Sequence, residues 1–410
     1  MDYFNLYTFL EQKMRNDSTR KEIDETIEVA DEWFVSNHCD LLQGNPSVFC
    51  RQHQISFEDD AFQNPLNYST VGLDVVDCDI HENKQFKIHI FIPKEQRNES
   101  EAIILLHGFN EKTWNKYYPW AYELAKRTHQ SVILFPIAFH MNRAPQTWSD
   151  KRIMFNLSHE RDQTLPYNRC SSFSNAAIST RMHNKPQRFI WSGLQTYYDV
   201  VQFVKLCHAG HYRSLTTIRQ FHFFSYSIGT FLAEILKISN PDGHFTHSKL
   251  CAFCGGATFN RFSPVSKPIL DSEANIALYA FLIENLEKHL LYEKKLYHFL
   301  EEHREGQIFR MMLNHHYLRV ERERFFRLNH ADIFAITLEK DSVIPSYEIY
   351  STLKGAYHDI PTNVKVTDFD YDYTHETPFP LRNRDRDKIN AAFEETFRQF
   401  TDFLLGNQTE

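Results

Sequence analysis

Glycine is scarce in this chain, with 12 in 410 residues, so a glycine that falls at a turn is informative, because only there is a missing Cβ required. Cysteine is sparse too. The seven cysteines are an odd number scattered at 39, 50, 78, 170, 207, 251 and 254, which gives no disulfide framework and suits a reducing compartment. Long apolar runs are missing: IILL at 103–106 and VILFPIAF at 132–139 fall far below the roughly 18 residues of a membrane helix. Positive charge is not in excess. Lys and Arg number 45 against 53 Asp and Glu, a net charge of −8 with the two signs interleaved, so no field for phosphate backbones exists and nucleic acid is not an expected partner. The opening MDYFNLYTFLEQKMRND lacks the basic flank and apolar stretch of a signal peptide. A soluble cytoplasmic chain is expected, unless a leader was removed ahead of this numbering.

What is present is an alternation. The segment 1–70 reads as a mostly helical extension, with TFLEQKMRN and TIEVADEWFVSN as amphipathic stretches. VGLDVVDCDI (71–80) and FKIHIFIPK (86–94) read as two strands of a hairpin. From there, short apolar runs alternate with helical patterns: AIILLHGF (102–109), SVILFPIAF (131–139), QFHFFSYS (220–227), SKLCAFCGG, DIFAITLEKD (332–341) and VKVTDFDY (364–371). Runs that short and that apolar predict parallel strands covered on both faces, hence an α/β fold with a mostly parallel sheet. Two stretches interrupt it, a long excursion at 140–186 and a helical insertion at 263–327. They divide the predicted core into 71–262 and 328–410, and insertions of that kind border ligand sites beyond the strands' carboxyl ends.

FHFFSYSIGTFLAEILKIS (221–239) holds two serines between a strand pattern and a helix pattern. A nucleophile on a sharp strand-to-helix turn needs small residues two positions before and after it, where the backbone crowds. Ser227 has Ser225 and Gly229 there. Ser225 would have the bulky Phe223, so Ser227 is the candidate. A serine needs a base, and the base a carboxylate, in the chain order Ser, acid, His. Asp341 lies just past one predicted strand and His375 just past the last. Glu339 and Asp332 are the competing acids, and His358 is the competing histidine. An oxyanion needs two backbone N–H groups, and Ile228 and Phe109 supply them, with Gly108 easing the turn before Phe109.

These pieces together resemble an α/β-hydrolase: HGF at 107–109, SYSIG at 225–229, DSVIP at 341–345 and the histidine of THETP at 374–378, in the superfamily's order. The elbow departs from the commoner pattern by carrying Ser225 where glycine is usual. HGFNEKTWNKYYPWA and FPIAFHMNRAP are also similar to a narrower bacterial family of unknown function. The resemblance implies a serine hydrolase that cleaves a carboxylic ester of a small-molecule acyl substrate, ahead of an amide or thioester, with a helical lid at 263–327 and no cofactor. A non-catalytic binding protein, or a peptidase or lyase on the same scaffold, is the competing reading.

Other motifs read as structural. Cys251-Ala-Phe-Cys254 has no second CxxC, and strand geometry sends its thiols to opposite faces. His315-His316 would sit about 100° apart on a helix, a poor chelate. Asp368-Phe-Asp370-Tyr-Asp372 lacks the glycine and glutamate of a calcium loop. No metal is expected. Arg143 and Arg181, in the excursion, are the candidates to hold a substrate carboxylate.

Overall fold

A computed structural model of the protein describes residues 1–58, 73, 75–95 and 100–407. Its strands are β1 (Arg20–Glu22), β2 (Ile27–Val35), β3 (Ser47–Cys50), β4 (Ile55–Glu58), β5 (Gln85–Pro93), β6 (Glu101–Leu106), β7 (Ser131–Phe135), β8 (Gln220–Tyr226), β9 (Leu250–Phe253), β10 (Ile333–Leu338) and β11 (Asn363–Thr367). Nine form one sheet in the order β1-β2-β5-β7-β6-β8-β9-β10-β11, and β3 pairs with β4 as a separate ribbon. From β7 to β11 every neighbouring pair is parallel, while β1, β2 and β5 join antiparallel. The sheet is therefore mostly parallel, as the apolar runs predict.

Side chains of a strand alternate between faces, and the two cores follow that period. Ala102, Ile104 and Leu106 of β6 join one cluster with Phe221 and Phe223 of β8 and the helices Arg188–His208 and Ile228–Ser239. Ile103 and Leu105 face the other cluster, with Phe224, Tyr226 and the helices Tyr3–Met14, Tyr118–Thr128 and Arg386–Leu405. Much of the chain's aromatic content is spent there. Trp120 lies edge-on to Tyr226, Phe224 and Phe253, and Phe397 stacks on Phe224 at 5.6 Å. The last helix stops where Gly406 takes φ +77° and Asn407 N–H reaches back to the Asp402 carbonyl, a left-handed C-cap.

Two expectations fail near the start. TIEVADEWFVSN is a strand and not a helix: Ile27, Ala30 and Phe34 recur at helical spacing, but Ile, Val, Trp and Phe favour a pleated surface, and nine residues of β5 offer β2 a full antiparallel partner. The segment 71–80 is not a strand of a hairpin either. Residues 71, 72 and 74 lie outside the described ones, and Asp77–Asp79 form a 3₁₀ turn. The alternation that suggested a strand has another cause. Asp77 is buried to receive the guanidinium groups of Arg181 and Arg188, at 2.9 and 2.8 Å. Burial pulls the Asp77 carboxyl up, but the two cations outweigh it and hold it below the ordinary carboxylate range.

The insertion predicted at 263–327 carries the helices Ser272–Tyr279, Leu286–Tyr292, Lys294–Tyr297 and Arg304–Leu313, and a further helix, Arg319–Asn329, runs two residues past its end. Arg161 of the excursion grips Asp271 through two nitrogens, at 2.8 and 2.9 Å, with both side chains buried. Asp271 also caps the helix that follows it, accepting from Ala274 N–H at 3.0 Å. Excursion and insertion are thereby fastened to each other. No helix among the described residues is long and apolar enough to cross a membrane.

Candidate active site

Parallel register decides which residues meet. Leu106 pairs with Ser225, Tyr226 with Phe253, Phe253 with Ile336, and Leu338 with Thr367. The strand ends therefore lie along one sheet edge, and His107, Ser227, Asp341 and His375 all come from the segments that leave it. The carboxyl edge of such a sheet is where ligands bind.

At the end of β8 the chain turns abruptly into the helix Ile228–Ser239, with Ser227 at φ 56°, ψ −124°. That conformation strains a residue carrying a Cβ, and it persists because its surroundings fix it. Ser227 N–H donates to the Phe253 carbonyl at 3.1 Å. Gly229 meets the end of β6 so closely that a Cβ there would lie 2.5 Å from the Leu106 carbonyl oxygen. Ser225 is sealed beneath the turn and donates to the Cys251 carbonyl at 3.2 Å, with Thr230 Oγ1 at 3.0 Å. A small polar residue suffices there.

The three far-apart side chains form a relay. His375 Nε2 lies 2.7 Å from Ser227 Oγ, and its Nδ1 lies 2.7 Å from Asp341 Oδ2. Asp341 is fully buried and its other oxygen accepts the Val343 and Ile344 N–H groups, each at 2.9 Å, so the carboxylate is held on both sides. A carboxylate so placed favours the Nδ1–H tautomer, which leaves the Nε2 lone pair facing the hydroxyl.

Phe109, Ser227 and Ile228 line one chamber. Among the described residues neither the Phe109 nor the Ile228 N–H has a hydrogen-bond partner; Ile228 opens a helix, whose first turn leaves its donors free. The Gly108 amide is different, because it donates to Tyr117 Oη at 2.9 Å. A Cβ on Gly108 would lie 3.1 Å from the Tyr226 ring.

Several positioning groups escaped the sequence reading. His107 accepts the Ile137 N–H on Nε2 at 2.9 Å and donates from Nδ1 to the Gly108 carbonyl at 2.8 Å. Burial holds its pKa well below the ordinary histidine value, so a neutral ring ties together the loops after β6 and β7. Tyr117 donates to Glu111 Oε1 at 3.0 Å. Tyr226 donates to the His375 carbonyl, and its ring stacks on the imidazole with centroids 5.4 Å apart. The sequence clue was the cluster of polar and aromatic residues directly after HGF.

Arg143 does not serve as predicted. It is fully buried and donates to Asp199 at 2.8 Å, to Asn83 and to the Pro136 carbonyl. Arg181 is likewise tied to Asp77 and sandwiched on the Phe139 and Trp148 rings at 4.3 and 4.4 Å. It does line a second chamber with Phe109, Lys112 and His140, and among the described residues its buried Nη2 has no partner. The thiols of Cys251 and Cys254 share one face and not two, because β9 ends at Phe253 and Cys254 turns to φ 49°. Burial raises both thiols well above their ordinary pKa, so they pack without reacting.

Residues 1–405 match the model of a protein family described as a family of unknown function (DUF6051). No curated protein matches the chain in sequence. Among solved structures, the chain is similar to carboxyl esterase 2 of the mycorrhizal fungus Tuber melanosporum, at 9% identity and TM-score 0.38 over 76% of this chain and 81% of that one. It is also similar to a peroxisomal alpha-beta-hydrolase of Saccharomyces cerevisiae, at 12% identity and TM-score 0.38 over 94% and 92% of the two chains. An esterase of Pyrobaculum calidifontis is similar at 10% identity and TM-score 0.38 over 77% and 81%.

Proposed function

The chain belongs to that family of unknown function, and from its site we propose that the protein is a serine hydrolase that cleaves a carboxylic ester through an acyl-enzyme. The observation that carries the reading is the continuous relay from Asp341 through His375 to a strained Ser227, with both contacts at 2.7 Å.

In this reading His375 Nε2 takes the Ser227 proton as Oγ attacks the substrate carbonyl carbon. The negative charge that develops on the carbonyl oxygen is met by the Phe109 and Ile228 N–H groups, which have no other acceptor to give up. Asp341, hydrogen-bonded to Nδ1, stabilises the imidazolium. Collapse of the tetrahedral intermediate breaks the ester C–O bond, and His375 returns its proton to the departing alcohol. Water, deprotonated by the same histidine, then releases the acid and restores the serine.

The chamber at Ser227 is walled by Phe189, Phe259, Phe262, Leu270 and Leu278, which supports an apolar acyl group. Phe109 and Phe189 also border the second chamber, which supports a place there for the alcohol leaving group. Hydrolysis of p-nitrophenyl esters of graded chain length, alongside aminoacyl anilides, tests the reading. Turnover of esters that is lost in Ser227→Ala supports it; anilide turnover alone moves the protein to the peptidases; no turnover with any acyl donor favours a binding protein.

A further inference from the structure

A second constellation lies outside both chambers. Cys50, at the end of β3, and His53, in the turn before β4, meet His298 and His303 of the helical insertion, and one ligand atom from each lies within 4.8 Å of every other. Cys50 Sγ is 3.6 Å from His53 Nδ1 and 3.3 Å from His303 Nε2, and His303 Nε2 is 3.2 Å from His298 Nε2. Donors held at ordinary zinc–sulfur and zinc–nitrogen lengths around one tetrahedral centre lie about 3.3–3.6 Å apart. We propose that these four residues form a structural zinc site that fastens the β3–β4 ribbon to the helical insertion.

Tautomer chemistry separates a metal site from an ordinary hydrogen-bonded cluster. His298 Nδ1 faces Glu302, and His303 Nδ1 faces Glu305 Oε1 at 3.2 Å. A carboxylate requires Nδ1 to carry the proton, so a neutral ring presents a bare lone pair at Nε2. The two Nε2 atoms then turn lone pairs toward each other at 3.2 Å, a repulsive arrangement that a shared cation makes attractive. A carboxylate behind a ligating imidazole is the usual support of a metal-bound histidine. Glu305 is itself fixed, accepting the Tyr198 hydroxyl at 2.5 Å.

Three imidazoles and one thiolate suit a borderline cation such as zinc, and four protein ligands leave no open position for water, which marks a structural site. The architecture has a use for it. A two-stranded ribbon is marginal alone, and among the described residues β3–β4 pairs with no strand of the main sheet. Its Phe57 ring lies 4.8 Å from His298. His303 in turn leads directly into the helix Arg304–Leu313, whose Phe309 packs on Phe189 and Phe231.

The test uses the full chain, purified without a histidine tag from zinc-supplemented cells and analysed by inductively coupled plasma mass spectrometry. About one zinc per chain is expected, falling below about a tenth in Cys50→Ser and in His303→Ala. Because those variants can fail to fold, the wild type carries a second test. Cobalt(II) replacement should give tetrahedral visible bands and a thiolate-to-cobalt charge-transfer band, and chelation should lower the melting temperature until zinc alone restores it. Glu305→Gln should keep the site and weaken zinc about 10–100-fold. A wild-type chain that binds under a tenth of an equivalent of zinc and shows no thiolate–cobalt band overturns the proposal, as does full stoichiometry in Cys50→Ser or one equivalent of a different metal on the same residues.

Discussion

The turn at Ser227 and the cluster at Cys50 are built in opposite ways. At Ser227 the strained residue, its small neighbours and the helix after it lie within one short stretch, and parallel register brings Asp341 and His375 to it. At Cys50 each half is a commonplace pair, and chemistry arises only where a ribbon near the start of the chain lands on an insertion about 250 residues later. A site whose backbone geometry is unusual announces itself locally, whereas a site made of ordinary elements exists only in the fold.

If the two regions are separate machines, the sharpest break comes from Ser227→Ala. It should reduce kcat by about 10⁴-fold or more while zinc content stays unchanged, read by ester hydrolysis and elemental analysis on one preparation. Asp341→Asn should cost about 10⁴-fold in kcat near neutral pH, because an amide donor at Nδ1 selects the wrong tautomer of His375. Asp271→Asn probes a third pairing that only the fold discloses. It leaves Arg161 buried without its counter-charge and should cost about 3–5 kcal/mol, read from the urea midpoint at constant slope.

Cys50→Ser should act on stability and metal, lowering the melting temperature by about 5 °C, read by scanning calorimetry. The smallest effect concerns the helix Ile228–Ser239 that follows Ser227. Glu234 is buried on that helix, and neither of its oxygens has a partner among the described residues. Burial raises its pKa well above the ordinary value, with Arg322 only partly opposing. The folded chain therefore keeps a proton that the unfolded chain releases above roughly pH 4.5, so stability falls as pH rises beyond that point. Glu234→Gln should remove the slope. Its advantage in melting temperature should be small at pH 5 and larger at pH 7 and 8.

The sequence discloses what local physics determines. Parallel strands sealed on both faces are continuous apolar runs, and β6, β8 and β10 fall where AIILL, QFHFFSY and IFAITL predict. Ser227, Asp341 and His375 could be picked out because a sharp strand-to-helix turn tolerates only small flanking residues and strand ends mark where the side chains that meet it emerge. The failures have a different origin. TIEVADEWFV satisfies two periods at once, and only pairing with β5 selects the strand. Asp77 mimics strand alternation because it answers buried arginines more than a hundred residues away. Arg143 reads as a cation for a substrate carboxylate until Asp199 is found beneath it. The C-x₂-H and H-x₄-H pairs at 50–53 and 298–303 carry a signal only when read together, and no local pattern links them.

The central claim is that the Ser227 hydroxyl is an activated nucleophile. Intact-mass and peptide mass spectrometry after exposure to a fluorophosphonate test it most directly. One adduct per chain on the peptide bearing Ser227, formed at neutral pH and absent in both Ser227→Ala and His375→Ala, is the predicted result. A wild-type chain that stays unmodified, or an adduct that persists in Ser227→Ala, would contradict it.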